Sequence, residues 1–143
     1  MKIVGLDAGS KTLGVAISDK HRLLARPLAT IRFNPGDEAR AIDELKRLLA
    51  AHETETIVLG LPRNMDGTKG AQALMAEALK DIIEEALGID VVLWDERLST
   101  KIADATTKLS GMRRKKRKRD IDQEAATHIL QGYLDYITTK EAR

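Results

Sequence analysis

The order in which two hydrophobic periods follow one another is the tightest constraint on this chain. Over 13–18, Leu13, Val15 and Ile17 alternate with the small residues Gly14, Ala16 and Ser18, the period of two that marks a strand. A short apolar run, Lys2 to Leu6, precedes it, bounded by the turn-forming Asp7-Ala8-Gly9-Ser10. Asp19-Lys20-His21 turns the chain into a third segment, Leu23 to Thr30, where Pro27 restricts it to a sheet edge. Connections this short make the three an antiparallel meander.

Beyond residue 36 the period changes. Asp37 to Ala51 carries Ala41, Ile42, Leu45, Leu48 and Leu49 on one helical face. Thr56 to Leu61 is continuously apolar, as a strand covered on both sides must be. Ala71 to Leu87 repeats its apolar residues with helical spacing until Gly88 stops it. Val91 to Trp94 is another buried strand, Ser99 is an N-cap for a short helix ending near Gly111, and Ile121 to about Ile137 is the last helix. The order βββαβαβαα predicts an α/β fold: a mixed five-stranded sheet, an antiparallel three-strand meander plus two parallel strands, with helices on both faces. No repeat or linker interrupts it, so residues 1–143 are expected to form a single domain.

Composition narrows the function. The longest apolar runs are about five residues, which excludes a membrane-spanning helix or a secretory signal and predicts a cytoplasmic protein with no membrane partner. The absence of cysteine removes disulfides, thiolate zinc sites and cysteine nucleophiles. Net charge is +2, but Arg113, Arg114, Lys115, Lys116, Arg117, Lys118 and Arg119 form an unbroken run of seven cations; without them the balance is 2 − 7 = −5. A mildly acidic body with one concentrated basic segment points to a polyanion such as nucleic acid. Phe33, Trp94, Tyr133 and Tyr136 are too few to stack a series of bases, so phosphates should dominate that contact.

Three acidic positions stand where solvent-facing charge is not expected. Asp7 ends the first strand, which should lie mid-sheet, and sites in such sheets collect at strand ends where strand order reverses. Asp95 and Glu96 directly follow the VVLW strand; neighbouring strand residues face opposite ways, so only one of the two suits a given cleft, and parity alone does not choose. On the last helix, stepping about 100° per residue from Ile121, the apolar residues fill an arc from about 40° to about 220°, and Asp122 falls near 100°, inside it. A carboxylate there is costly unless paired, metal-bound or used to cap the helix start. Asp7, Glu96 and Asp122 together would offer oxygen ligands suited to Mg²⁺ or Mn²⁺, and two such ions can drive phosphodiester hydrolysis. His21, His52 and His128 read as structural.

Four blocks carry a family resemblance: GLDAGSKTLGVAISD at 5–19, IVLGLPRNMDGTKG at 57–70, DERLST at 95–100 and RKKRKRDIDQEAATHILQGYLD at 114–135. Together they resemble the YqgF-type nucleases, a family described both as RuvC-related Holliday-junction resolvases and as pre-16S rRNA processing nucleases. The resemblance spans nearly the whole chain. It implies an RNase H-like fold, a bacterial cytosolic protein active in ribosome biogenesis, and metal-assisted phosphodiester hydrolysis. By position it assigns the metal-binding, catalytic carboxylates to Asp7, Glu96 and Asp122, which settles the choice between Asp95 and Glu96. Ala8-Gly9-Ser10 departs slightly from the family pattern, and Ser10 keeps the hydroxyl. Arg63 and Asn64, with Lys11, are placed to touch a scissile phosphate, and the basic run would deliver the backbone to the metal cluster.

The leading expectation is therefore a nuclease for structured RNA, acting at the 5′ end of pre-16S rRNA. Cleavage of branched, four-way DNA is the second; it needs two active sites and hence a dimer, whereas the sequence suggests a monomer or weak homodimer. A sugar kinase or actin-like ATPase shares the strand-Asp-x-Gly turn but needs two such domains. A non-catalytic nucleic-acid-binding module would have little reason to set carboxylates beside phosphate.

Overall fold

The computed structural model describes residues 1–9, 11–61, 71–95 and 121–141. One five-stranded sheet has the order β3-β2-β1-β4-β5. Its strands are β1 (Lys2–Ala8), β2 (Thr12–Ser18), β3 (Ala25–Arg32), β4 (Thr54–Leu61) and β5 (Asp90–Asp95). The first three pair antiparallel, while β4 and β5 run parallel to β1, so the expected meander and parallel pair meet at a central β1. Three helices accompany them: α1 (Glu38–Leu49), α2 (Ala71–Leu87) and α3 (Ile121–Glu141). The short helix expected between Ser99 and Gly111 lies outside the described residues. Among the described residues, no helix is long and apolar enough to cross a membrane.

Both faces of the sheet are covered, which explains why its inner strands read as continuous apolar runs. Val4, Leu6, Val15, Ile17, Ile57 and Leu59 face α1 and α2. Ile3, Ala16 and Val58 face α3, which buries Ala126, Ile129, Leu130 and Leu134 against them. Each such aliphatic side chain contributes about 1.5–3 kcal/mol relative to exposure.

The small residues of β1 and β2 set the height of α3 above the sheet. A Cβ on Gly5 would stand 2.7 Å from Leu130 Cβ and 2.9 Å from the Ala126 carbonyl oxygen, so only glycine admits this crossing. Gln131 then fixes the helix along its axis. Its Oε1 accepts from the Ala25 N–H at 2.8 Å, and its Nε2 donates to the Leu23 carbonyl at 2.9 Å. The helical wheel assigns Gln131 to the polar side; the structure instead half-buries it as a tie between α3 and the start of β3.

Other boundaries shift for local reasons. β1 continues through Asp7 and Ala8, where a turn is expected, because its ladder with β2 persists to Ala8↔Leu13. β3 takes the sheet edge, and its register slips between Val15↔Ala29 and Ala16↔Pro27, a bulge that absorbs the proline. Gly88, at φ 69°, ends α2 and donates its N–H to the Glu84 carbonyl at 2.9 Å. At the β2–β3 turn, Asp19 Oδ1 accepts from the Leu23 N–H at 2.8 Å and the Leu24 N–H at 3.0 Å.

Two outcomes follow. Gly5→Ala is expected to lower stability by about 1–3 kcal/mol, because α3 must lift off the sheet, and a denaturant titration reads this directly. The second concerns pH. The backbone N–H groups of Leu24 and Leu23 hold the Asp19 carboxyl below its ordinary value of 3.8. A carboxyl depressed in the folded state stabilises above its unfolded value, and that contribution fades as pH falls through the folded one. The difference in unfolding midpoint between wild type and Asp19→Asn should therefore be constant near neutrality and shrink under acid.

Candidate active site

Pairing carries one row of residues across the sheet. Gly14 stands opposite Asp7 on one side and opposite Thr30 on the other. One step beyond the Leu6↔Leu59 pair, Asp7 is level with Gly60, which pairs with Trp94. The row thus reads Thr30, Gly14, Asp7, Gly60, Trp94. Strand alternation puts Asp7 on the same face as Ile3 and Gly5, the face α3 covers. Its two strand neighbours, Gly14 and Gly60, are buried glycines, so no side chain flanks the half-buried Asp7 carboxylate along the row. Thr30 ends the row with a buried hydroxyl that has no hydrogen-bond partner among the described residues.

The direction of α3 brings its first turn to this row. Gln131 is tied to Ala25, whose partner Ser18 ends β2 at the edge where β1 begins. Ala126 and Leu130 pass over Gly5, further along β1. The helix therefore runs antiparallel to β1, with its N-terminal turn toward the carboxyl ends of β1, β4 and β5. From Ala126 back to Asp122 is one turn, about 6 Å. From Gly5 forward to Asp7 is two strand residues, about 6.6 Å. The backbones at Asp122 and Asp7 thus reach the same edge of the sheet, where the positive end of the α3 dipole also lies.

The remaining expected site residues are distributed around this edge. β4 and β5 both end on Asp7's side, at Leu61 and Asp95. Glu96, Arg63, Asn64 and the run Arg113 to Arg119 lie outside the described residues. Lys11 is exposed in the β1–β2 turn, which closes with the Gly9 N–H donating to the Thr12 carbonyl at 2.8 Å. Among the described residues, no three His, Asp or Glu side chains converge.

Two features were not expected from the sequence. Gly14 and Gly60 place no side chain beside Asp7, a feature hidden inside apolar runs where a glycine looks like a neutral filler. Trp94 closes the far end of the row and packs edge-on against Tyr133, with ring centroids 5.5 Å apart and planes at 89°. Tyr136 lies 5.4 Å from the same indole, and Lys140 sits 5.9 Å above the Tyr136 ring. Burial, and next the Glu55 carboxylate, push the Tyr133 phenol above its ordinary value, so it stays neutral.

Among the described residues, the charged oxygen donor at this edge is the Asp7 carboxylate. The chain has no cysteine. His21 follows β2 and His52 precedes β4, both at the opposite edge of the sheet, and His128 is exposed on α3. Such a set fits hard divalent cations, Mg²⁺ or Mn²⁺, better than zinc.

Comparison with known proteins adds the following. The family model RuvX, described as Holliday junction resolvase, matches residues 1–136. A Desulfitobacterium hafniense protein provisionally named pre-16S rRNA nuclease is 46% identical over 143 residues, covering 100% of this chain and 98% of its own. Identically named proteins from Oceanobacillus iheyensis and Clostridium beijerinckii are 45% and 44% identical, covering 94% and 98% of this chain and 98% and 100% of their own. Among solved structures, Thermus thermophilus RuvC bound to a Holliday junction superposes with a TM-score of 0.70 at 18% identity, over 98% of this chain and 96% of that one. The fowlpox virus resolvase, also bound to junction DNA, gives 0.54 at 12% identity, over 96% and 99%. At these identities the structural likeness speaks for the RNase H-like, resolvase-type fold.

Proposed function

The chain belongs to the RuvX family, and on that premise we propose that it is a divalent-metal-dependent nuclease that trims the 5′ end of pre-16S rRNA. One observation carries the reading: Asp7 stands half-buried between two glycines at the carboxyl edge of the central strand, and the first turn of α3, bearing Asp122, arrives at that edge. Full-length relatives at 44–46% identity carry the rRNA-nuclease name, which favours RNA as substrate. The activity resides in one domain, residues 1–143, working in the cytoplasm.

In this reading Asp7, Asp122 and Glu96 hold the metal. Glu96 is taken over Asp95 on the family resemblance. Two bound Mg²⁺ or Mn²⁺ ions would lower the pKa of an attacking water and stabilise the leaving oxygen. Asp7 is pre-oriented by its place in the β1–β2 ladder. Gly14 and Gly60 put no side chain between it and an approaching phosphate, and Trp94 ends the row on the β5 side. Lys11 neutralises phosphate charge from the neighbouring turn, with Arg63, Asn64 and the run Arg113 to Arg119 as further backbone contacts.

The family description and the fold shared with RuvC favour a second reading, resolution of four-way DNA junctions. It requires paired, symmetric cuts and therefore two active sites in a stable dimer. The chain acting on RNA works as a monomer or weak homodimer.

A direct test offers an end-labelled pre-16S 5′ leader and a mobile four-way junction side by side, with Mg²⁺ or Mn²⁺. Leader cleavage should fall at least about 100-fold in Asp7→Asn and Asp122→Asn, since even groups that only orient metal ligands are worth 10–100-fold. Equal cleavage by wild type and Asp7→Asn would sink the catalytic reading, and symmetric junction cuts would move the second reading to first place. Metal binding has its own readout. Trp94 is the only tryptophan and lies two strand spacings, about 10 Å, from Asp7. Paramagnetic Mn²⁺ should quench its emission in wild type, and Asp7→Asn should abolish the saturable part.

A further inference from the structure

The β3 edge and α1 enclose a groove of about 530 Å³ lined by Ala29, Thr30 and Ile31 from the strand and by Arg40, Glu44, Arg47 and Leu48 from the helix. Arg40, Glu44 and Arg47 are spaced i, i+4 and i+7, one stripe of α1. Both guanidinium groups are solvent-facing. Arg40 Nη2 donates to the Arg32 carbonyl at 3.2 Å, and Arg47 Nη2 meets Asp43 Oδ2 at 3.3 Å in an exposed i,i+4 pair.

The groove is continuous with the candidate active edge. Arg32 pairs with Thr12 at the same end of the sheet as Asp7, and the Phe33 N–H donates to the Lys11 carbonyl at 2.9 Å. Lys11, Arg32, Arg40 and Arg47 are all exposed. They line a path that starts at the turn beside Asp7, rounds the β3 edge and runs down α1, where Asp37, Glu38, Asp43 and Glu44 balance them in number. The opposite flank is acidic outright: α2 and the start of β5 carry Glu77, Asp81, Glu84, Glu85 and Asp90 against Lys80, which is itself paired with Glu84 at 3.1 Å.

We propose that the β3–α1 flank is a second phosphate-binding track, which holds the sugar–phosphate backbone of a nucleic-acid substrate as it passes beyond the Asp7 edge. The inference rests on the nuclease reading for its ligand and adds a direction: substrate crosses the β1–β2 turn toward α1 and avoids the acidic α2–β5 side. Arg40 and Arg47, two helical turns or about 10 Å apart, contact separate phosphates of one backbone as charge-bearing forks. These contacts are independent of sequence, so they add affinity and position without selecting bases.

The test measures binding without turnover. Asp7→Asn protein, with and without Arg40→Gln/Arg47→Gln, is titrated against a fluorescent pre-16S 5′-leader duplex stem over a salt series. Loss of two phosphate contacts should reduce the magnitude of the log K versus log salt slope by about 1.8 on duplex, or about 1.4 on a single strand. The exposed Asp43 pair contributes little to stability, so the variant should fold, and its unfolding midpoint is checked alongside. Arg40→Lys/Arg47→Lys, which keeps both charges, should retain the wild-type slope. Lys46→Glu changes charge one residue away but outside the groove lining, and should alter the slope less than Arg47→Glu. An unchanged slope in the glutamine pair, or an equal drop with Lys46→Glu, would overturn the track. Cleavage by the wild type is scored separately: a reduced slope with no cleavage activity would retain the track and reject the nuclease reading, whereas normal cleavage with an unchanged slope would do the reverse.

Discussion

The contact between α3 and Gly5 governs the geometry of the whole active edge. A helix seated on ordinary side chains stands about 10 Å from its sheet, but here the Leu130 Cβ and the Ala126 carbonyl take the place a β-carbon would fill. That approach sets the depth of α3, and the Gln131 tie to Ala25 and Leu23 sets its axial position. With depth and axial position both fixed, the first turn of the helix has little freedom in where it meets the sheet. The carboxylate-bearing turn is thus positioned by atoms lying on the other side of the Gly5 crossing, in the rigid middle of the fold.

Charge is arranged around the same frame. The sheet's carboxyl edge combines a half-buried Asp7 with the positive end of a 21-residue helix, so a cation and an anion both find partners there. Away from it, among the described residues, α1 balances its exposed arginines and lysine with as many carboxylates, while the α2–β5 side is acidic. The Trp94–Tyr133–Tyr136 cluster stands between the acidic flank and α3, an apolar partition on the inner face of β5.

Strand order, the central place of β1, the edge position of β3 and the stop at Gly88 were legible in the sequence, because each follows from a local rule: period, proline or a positive-φ glycine. Asp7 was legible as a candidate for the same reason, but its residence inside β1 was not. The turn residues Asp7-Ala8-Gly9 suggested an earlier stop, and only the ladder to Gly14 and Leu13 carries the strand past them. Gln131 was hidden by averaging around a helix; its role depends on a partner 106 residues away. Gly14 and Gly60 escaped notice because what matters is that they put no side chain beside Asp7, which holds only once three strands are in register. Asp122 was marked by its place among apolar neighbours, and the backbone of α3 places it at the right edge. Glu96, Arg63, Asn64 and the basic run rest on the resemblance.

The long reach of the Gln131 tie also bears on when the protein can complete itself during synthesis. The sheet and its α1–α2 face require only residues up to Asp95, yet Ile3, Ala16 and Val58 stay uncovered until α3 has emerged. At about 5–20 residues per second, the nascent chain exposes that apolar face for seconds before closing it. The same event brings the first turn of α3 to the edge that carries Asp7, so a half-made copy has Asp7 there without Asp122.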